Sequence, residues 1–175
     1  MRKWMNLIEQ ELTEINVIND LDDEAIAHRM ATQYDDAIAR AHRIGSLGDL
    51  TILKDTAEGF DNFYLMSADK KLVGRASVAE TNGHHYVRHI WFDPTIRSQG
   101  NGYYFYLWLL QQGYQIISDW DQTEGAQRVW RKLAHDGFVR TFTDGEIGDV
   151  VHDIERFYSF YAHSSGRTRL IASAT

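Results

Sequence analysis

The chain has 175 residues, 43% hydrophobic and 13% aromatic, enough for one domain with a packed core. Its formal net charge of −7 sets nucleic acid and anionic membranes aside as partners, because both require a basic face. The absence of cysteine excludes disulfides, thiolate nucleophiles and Cys-based zinc sites. No apolar run nears a membrane span and no signal-peptide core opens the chain, so the expected compartment is the cytoplasm.

Trp4, Ile8, Leu12 and Ile15 recur at helical spacing, which predicts an N-terminal helix over residues 1–15. A short strand over 15–18 follows. Asp20 or Asp22 then caps a long helix from about 23 to 44, with Ile26, Met30, Tyr34, Ile38 and Ala41 on one face and Gly45 and Gly48 at its end. His28 and His42 lie on that helix without a metal-ligand partner, and no metal site is expected. Strands are predicted over 50–53, 62–66, 72–80 and 86–92, the last two joined by the hairpin signal Asn82-Gly83.

Residues 85–110, reading HYVRHIWFDPTIRSQGNGYYFYLWLL, organise the rest. Pro94, the only proline, stops the strand. A polar turn from Arg97 to Gly102 opens an apolar helix over 103–110 with Gly113 at its C′ position. A strand, a glycine-bearing turn and a helix start form an anion cradle, because the first helical N–H groups have no intrahelical partner. Glycine lets a phosphate approach the backbone, and Arg97 adds charge. Beyond it, 114–118 reads as a strand parallel to 86–92. A helix capped by Asp121 or Thr123 runs to about His135, a strand covers 138–143, a helix lies within 149–160, and a last strand covers 169–172.

Phe92-Asp93-Pro94 followed by Arg97-x-x-Gly100-x-Gly102 resembles the acyl-coenzyme A loop of the GNAT superfamily of N-acyltransferases. Thr123-Glu-Gly-Ala126, with Val129-Trp130-Arg-Lys132-Leu133 and then Gly137-Phe138, is similar to the second signature of that family. The resemblance covers 62–142. Residues 1–15 and the C-terminal extension 144–175 lie outside it, within what is read as one domain over 1–175. The run IISDWDQTEGAQRVWRKL also resembles GNAT-related proteins encoded by bacterial viruses.

The resemblance implies a mixed α/β (α+β) fold. Its sheet is mostly antiparallel and splayed between two central parallel strands, with helices on both faces. It implies acetyl-coenzyme A as cofactor, held by Ile90, Trp91 and Phe92 at the acyl end and by Arg97, Ser98, Gln99, Gly100, Asn101, Gly102 and Tyr103 at the pyrophosphate. Thr123, Ala126 and Trp130 would flank the thiol. Attack of an amine on the thioester needs a base and an acid. His89 and Glu80 are the base candidates, and Asp119 and Asp121 the candidates for holding a cationic substrate. Trp130 stands where the family commonly has a tyrosine acid, and an indole N–H does not ionise usefully. Tyr103 or Tyr104 is the substitute, with core packing as the competing role.

Three functions follow from this reading. The first is an N-acetyltransferase acting on an amine of a small molecule or protein. The others are a GNAT-like binding or assembly module that has lost transfer and a GNAT-fold enzyme modifying nucleic-acid bases, which the acidity disfavours. A homodimer is compatible with all three.

Overall fold

The computed structural model describes residues 33–97, 99–119, 122–161 and 168–174. The predicted helix over 1–15, the strand over 15–18 and the first part of the long helix lie outside the described residues. The chain separates into two compact units, Met1–Ala41 and His42–Thr175. The described part of the first contains one short helix, α1 (Asp35–Arg40), which starts with two acids and ends with Arg40, as the helix dipole favours.

The long helix is expected from sequence to reach residue 44, and the structure corrects this. Ala41 is already extended (φ −69°, ψ 144°), and β1 (His42–Leu47) pairs antiparallel with β2 (Leu50–Ala57) from His42↔Lys54 to Leu47↔Leu50. Sheet pairing here outweighs the intrinsic helix preference of the stretch, which tertiary context routinely overrides. Gly45 therefore lies within a strand, where a Cβ would meet the Trp108 indole at 3.1 Å.

The second unit is a nine-stranded mixed sheet. Its first five strands form a meander, continuing through β3 (Phe60–Met66), β4 (Leu72–Thr81) and β5 (His84–Phe92). Then follow β6 (Ile116–Ile117), β7 (Val139–Thr143), β8 (Glu146–Val150) and β9 (Thr168–Ala172), in the spatial order β1-β2-β3-β4-β5-β6-β9-β7-β8. Among the described residues only β5 and β6 are parallel neighbours. β9 is antiparallel to both β6 and β7 and lies between them. The mixed α/β, mostly antiparallel architecture is thus as the sequence predicts.

Three hairpins share one device. Glu58-Gly59, Asn82-Gly83 and Asp144-Gly145 all have positive φ at both positions, the geometry that matches the right-handed twist of the strands they join. The last of these forms β8, whose end overlaps the helix predicted to start near 149. The actual helix, α4, begins at Ile154 and ends at Tyr161.

α2 (Asn101–Gln111) and α3 (Glu124–His135) both end in the same motif. Gly113 N–H donates to Leu110 O and Tyr114 N–H to Leu109 O, while Gly137 N–H donates to Ala134 O and Phe138 N–H to Leu133 O. Both glycines have positive φ, and the paired bonds satisfy the last carbonyls of each helix. One core joins α2, α3 and α4 to a single face of the sheet, with Phe63, Phe105, Leu109, Trp130, Leu133, Val139, Phe157 and Leu170 among its buried members. Phe63 meets Phe105, Trp108 and Tyr114 edge-on at 5.7–5.9 Å, a favoured aromatic geometry. Tyr64, Ser77, Ile117 and Ile171 are buried outside that core.

Candidate functional site

β5 changes character halfway along. It pairs with β6 only at His85↔Ile116 and Tyr86↔Ile117. From Val87 to Phe92 it keeps β4 as a partner on one edge, and the ladder to β6 is finished. Where the two strands part, Arg88 is an extra residue. Ser77 pairs with His89 and Val78 with Val87, so Arg88 is a bulge, a feature that bends a strand and ends pairing. The open edge carries N–H and C=O groups suited to an added extended chain.

That edge runs up to the turn that begins α2. Asp93 accepts from the Thr95 N–H at 2.9 Å, fixing a short 3₁₀ turn over Pro94–Ile96. Arg97 Nε donates to Phe92 O at 2.7 Å, Gln99 Nε2 to Thr95 O at 2.9 Å and Asn101 Nδ2 to Ile96 O at 2.8 Å. Three side chains thus occupy carbonyls of the turn, and the N–H groups of Thr95, Ile96 and Arg97 are spent on Asp93, so the donors on offer are those of the first turn of α2. Gly100 has φ +81° and begins α2, and among the described residues no side chain caps that helix. The first-turn N–H groups and the helix dipole converge there, which suits a phosphate. A Cβ on Gly100 would be both strained and 3.2 Å from the Tyr104 ring.

The predicted cofactor set divides accordingly. Gly100, Asn101 and Gln99 belong to the turn, and Arg97 reaches it with its Nε already committed. Ser98 lies outside the described residues. Gly102 also serves packing. A Cβ there would be 3.4 Å from Val129 and 3.7 Å from Phe92, so the glycine permits α2, α3 and β5 to approach closely. Ile90 is 39% exposed on the open stretch. The Trp91 Nε1 is buried with no partner among the described residues. Phe92 is corrected from the acyl end. Its ring packs against Gly74 and Gly102 and its carbonyl accepts from Arg97, which ties it to the turn end of the slot that opens where β5 and β6 part.

Two further readings change. Trp130 is 2% exposed and packs edge-on against Tyr106 at 6.2 Å, so it is a core residue beneath the helices rather than a lining residue of the slot. Tyr103 donates its hydroxyl to Asp136, and Lys132 Nζ lies 4.0 Å from the centre of its ring. Burial and the Asp136 carboxylate push the Tyr103 hydroxyl up to about 12, and Asp136 in turn meets His135 Nδ1 at 2.9 Å. This cluster joins α2 to the end of α3 and commits the Tyr103 hydroxyl to Asp136.

His89 stands opposite Ser77 on β4, one residue beyond the bulge. By the alternation of the strand it shares the face of Ser77, Arg75 and Asn62, away from α2. Ser77 Oγ donates to Asn62 Oδ1 at 2.7 Å and Arg75 Nη2 to the same oxygen at 3.3 Å, so His89 adjoins an ordered polar network. Glu80 is corrected as a base candidate. The hairpin register puts it opposite His85, below the point where β5 and β6 separate, and it is exposed.

On the β6 side, Ser118 is buried and its N–H donates to Leu170 O at 2.9 Å, while Asp119 is exposed just beyond. Asp121 lies outside the described residues. Thr123 caps α3, its hydroxyl accepting from the Ala126 N–H at 3.2 Å. Sequence reasoning missed Tyr158, whose hydroxyl donates to Gln122 Oε1 at 2.8 Å beside that cap. It also missed Glu155, which takes Arg131 at 2.5 Å. Their signal, an aromatic run at helical spacing after Asp153, was visible but had no assigned partner.

Solved structures similar to this chain are GNAT-type acetyltransferases. A protein from Bacteroides thetaiotaomicron assigned to the GNAT family matches at 15% identity and a TM-score of 0.41, over 69% of this chain and 65% of the other, so under two thirds of that protein is spanned. A ribosomal-protein-alanine N-acetyltransferase from Escherichia coli matches at 16% identity over 69% and 74%, with a TM-score of 0.39. A GNAT-family acetyltransferase from Staphylococcus aureus matches at 10% identity over 90% and 83%, with a TM-score of 0.38. No protein-family model matches the sequence, and no curated protein matches it significantly. Among the described residues no helix is long and apolar enough to cross a membrane.

Proposed function

We propose that the chain is an N-acetyltransferase that moves an acetyl group from acetyl-coenzyme A to an amine of a small molecule or protein. The observation that carries this reading is the adjacency of two features, the edge of β5 beyond Tyr86, where its ladder to β6 has ended, and the first turn of α2, which no side chain caps among the described residues. The first fits an amide-bearing pantetheine arm as an added strand, and the second fits its pyrophosphate. When bound, the coenzyme supplies an acetyl thioester. The N–H groups of Asn101, Gly102 and Tyr103 hold the negative charge, and Gly100 lets it reach the backbone. The β5 edge from Val87 to Trp91 orients the arm toward the closed end of the slot.

His89, on the face away from α2, takes the proton that the attacking amine loses, directly or through water. Asp119, exposed at the end of β6, draws a cationic acceptor to the mouth. With Tyr103 committed to Asp136 and Trp130 in the core, the proton for the leaving sulfur comes from solvent. A second reading, a coenzyme-binding module without transfer, draws support from that missing acid.

Calorimetric titration with acetyl-coenzyme A, with coenzyme A and ATP as controls, tests the proposal. Micromolar binding of both coenzyme forms and none of ATP is the expected result, followed by thiol release with an amine acceptor. Folded protein that binds none of the three would sink the reading. Binding with no thiol release across an amine panel would favour the module.

A further inference from the structure

The closed end of the slot is held by a group of side chains that neither the turn nor the proposed chemistry uses. Lys54 on β2, Asp61 on β3 and Tyr114 at the start of the segment leading into β6 form a closed triangle. Lys54 Nζ lies 2.8 Å from Asp61 Oδ2 and donates to Tyr114 Oη at 3.1 Å, while the Tyr114 hydroxyl donates to Asp61 Oδ2 at 2.7 Å. Thr56 completes the carboxylate, donating to its other oxygen at 2.8 Å. The lysine and aspartate side chains are only 23% and 24% exposed. A half-buried, fully hydrogen-bonded ion cluster of this kind fixes geometry more than it adds net stability.

The triangle reaches β5 through one contact. The Tyr114 ring packs on the His85 ring at 4.6 Å. His85 then clamps the next residue twice: its backbone N–H donates to Gln115 O at 2.8 Å, and the Gln115 N–H meets His85 Nδ1 at 3.2 Å. The only two parallel pairs of the sheet follow at once, at Ile116 and Ile117, and then the strands part at the Arg88 bulge. The cluster is therefore anchored to the meander on one side and to the beginning of β6 on the other. Phe63 on β3 adds an edge-on ring contact to Tyr114 at 5.9 Å.

We propose that Lys54, Asp61 and Tyr114 are positioning residues that set where β5 and β6 separate, and thereby the width of the slot that receives the pantetheine arm. This rests on the coenzyme reading above, and two readouts keep the two ideas apart. Hydrogen exchange at the His85 and Gln115 amides reports the clamp without any ligand. Coenzyme A affinity reports the slot.

The variant is Tyr114→Phe, which keeps the ring against His85 and Phe63 and removes only the hydroxyl. Losing that bond to a half-buried carboxylate is expected to speed exchange at His85 and Gln115 by about tenfold and weaken coenzyme A binding by a similar factor. Amides of the β3–β4 ladder should keep their protection. Lys54→Met should reproduce the effect, and Lys54→Arg should largely restore wild-type exchange and affinity. Unchanged exchange at the two clamp amides in Tyr114→Phe overturns the proposal. So does a lower melting temperature accompanied by wild-type coenzyme A affinity, since the cluster would then be structural only. Local loosening in a protein that binds no coenzyme A even as wild type would uphold the clamp and remove the transferase reading instead.

Discussion

At its N-terminal end β5 is held on both edges, by β4 at Glu80↔His85 and by β6 at His85↔Ile116, with an ion cluster alongside. From Val87 onward β4 is its only ladder partner, and the strand runs out into a turn whose carbonyls are already occupied by Arg97, Gln99 and Asn101. The difference shows how one strand serves two ends. A ladder on both edges and a hydrogen-bonded ion cluster give rigidity at one end, and the end of the β6 ladder gives an open edge at the other. Neither end would work without the other, because an open edge on a loose strand would invite the wrong partner or close on itself.

The open end is where the comparison breaks most easily. Gly100→Trp forces a bulky side chain into φ +81° and against Tyr104, and coenzyme A affinity should fall by more than about a hundredfold, since both the strain and the lost approach act on the anion. Calorimetry checks this, with circular dichroism to show that α2 persists. His89→Ala should lower kcat by about a hundredfold with little change in coenzyme A affinity, the usual scale for losing a general base. Glu80→Ala, at the closed end, should leave both constants near wild type. A large kcat loss in the latter would reverse the assignment.

The closed end breaks through acid. Burial alone would raise the Asp61 carboxyl, yet hydrogen bonds from Lys54, Tyr114 and Thr56 outweigh it and hold it below the usual carboxylate range. A depressed folded-state pKa gives stability that is present above the unfolded value and lost as pH falls through the folded one. Thermal melts of wild type should therefore steepen in their decline below about pH 4. Asp61→Asn should be less stable at neutral pH by about 1–3 kcal/mol and flatter in acid. The smaller loss of stability is expected at Thr123→Ala, where loss of the α3 cap costs about 1 kcal/mol in urea unfolding.

Strands β2 to β5 of the meander, the turn and both crossover helices were legible in the sequence because each carries local chemistry: Asn82-Gly83, Pro94, the Gly100 turn, Gly113 and Gly137; β1 was not, because its residues continue a helical pattern. Asp144-Gly145 was an equally strong hairpin signal, and reading it would have found β8. What stayed hidden depends on residues far apart in the chain. The register that takes Glu80 away from the open edge follows from the Asn82-Gly83 hairpin, whereas the Arg88 bulge, which brings His89 opposite Ser77, is announced by no local pattern. Tyr103 and Trp130 look like site residues by motif position. Asp136 and Tyr106, which occupy them, are found only once α2 and α3 are packed. Lys54, Asp61 and Tyr114 come from three separate elements, and no spacing rule connects them.

β9 carries a consequence for how the chain reaches this state. Its residue Ile171 pairs with Ile117 on one side and Arg140 on the other, so the last described strand joins two blocks made much earlier in the chain. The meander can assemble from sequence neighbours, which is entropically cheap and fast. β6 and the β7–β8 hairpin have no ladder between them until β9 slides into place. Refolding should then run in two stages, a quick one that builds the meander and a slower one that zips the sheet shut, and the slot acquires its β6 wall only in the second.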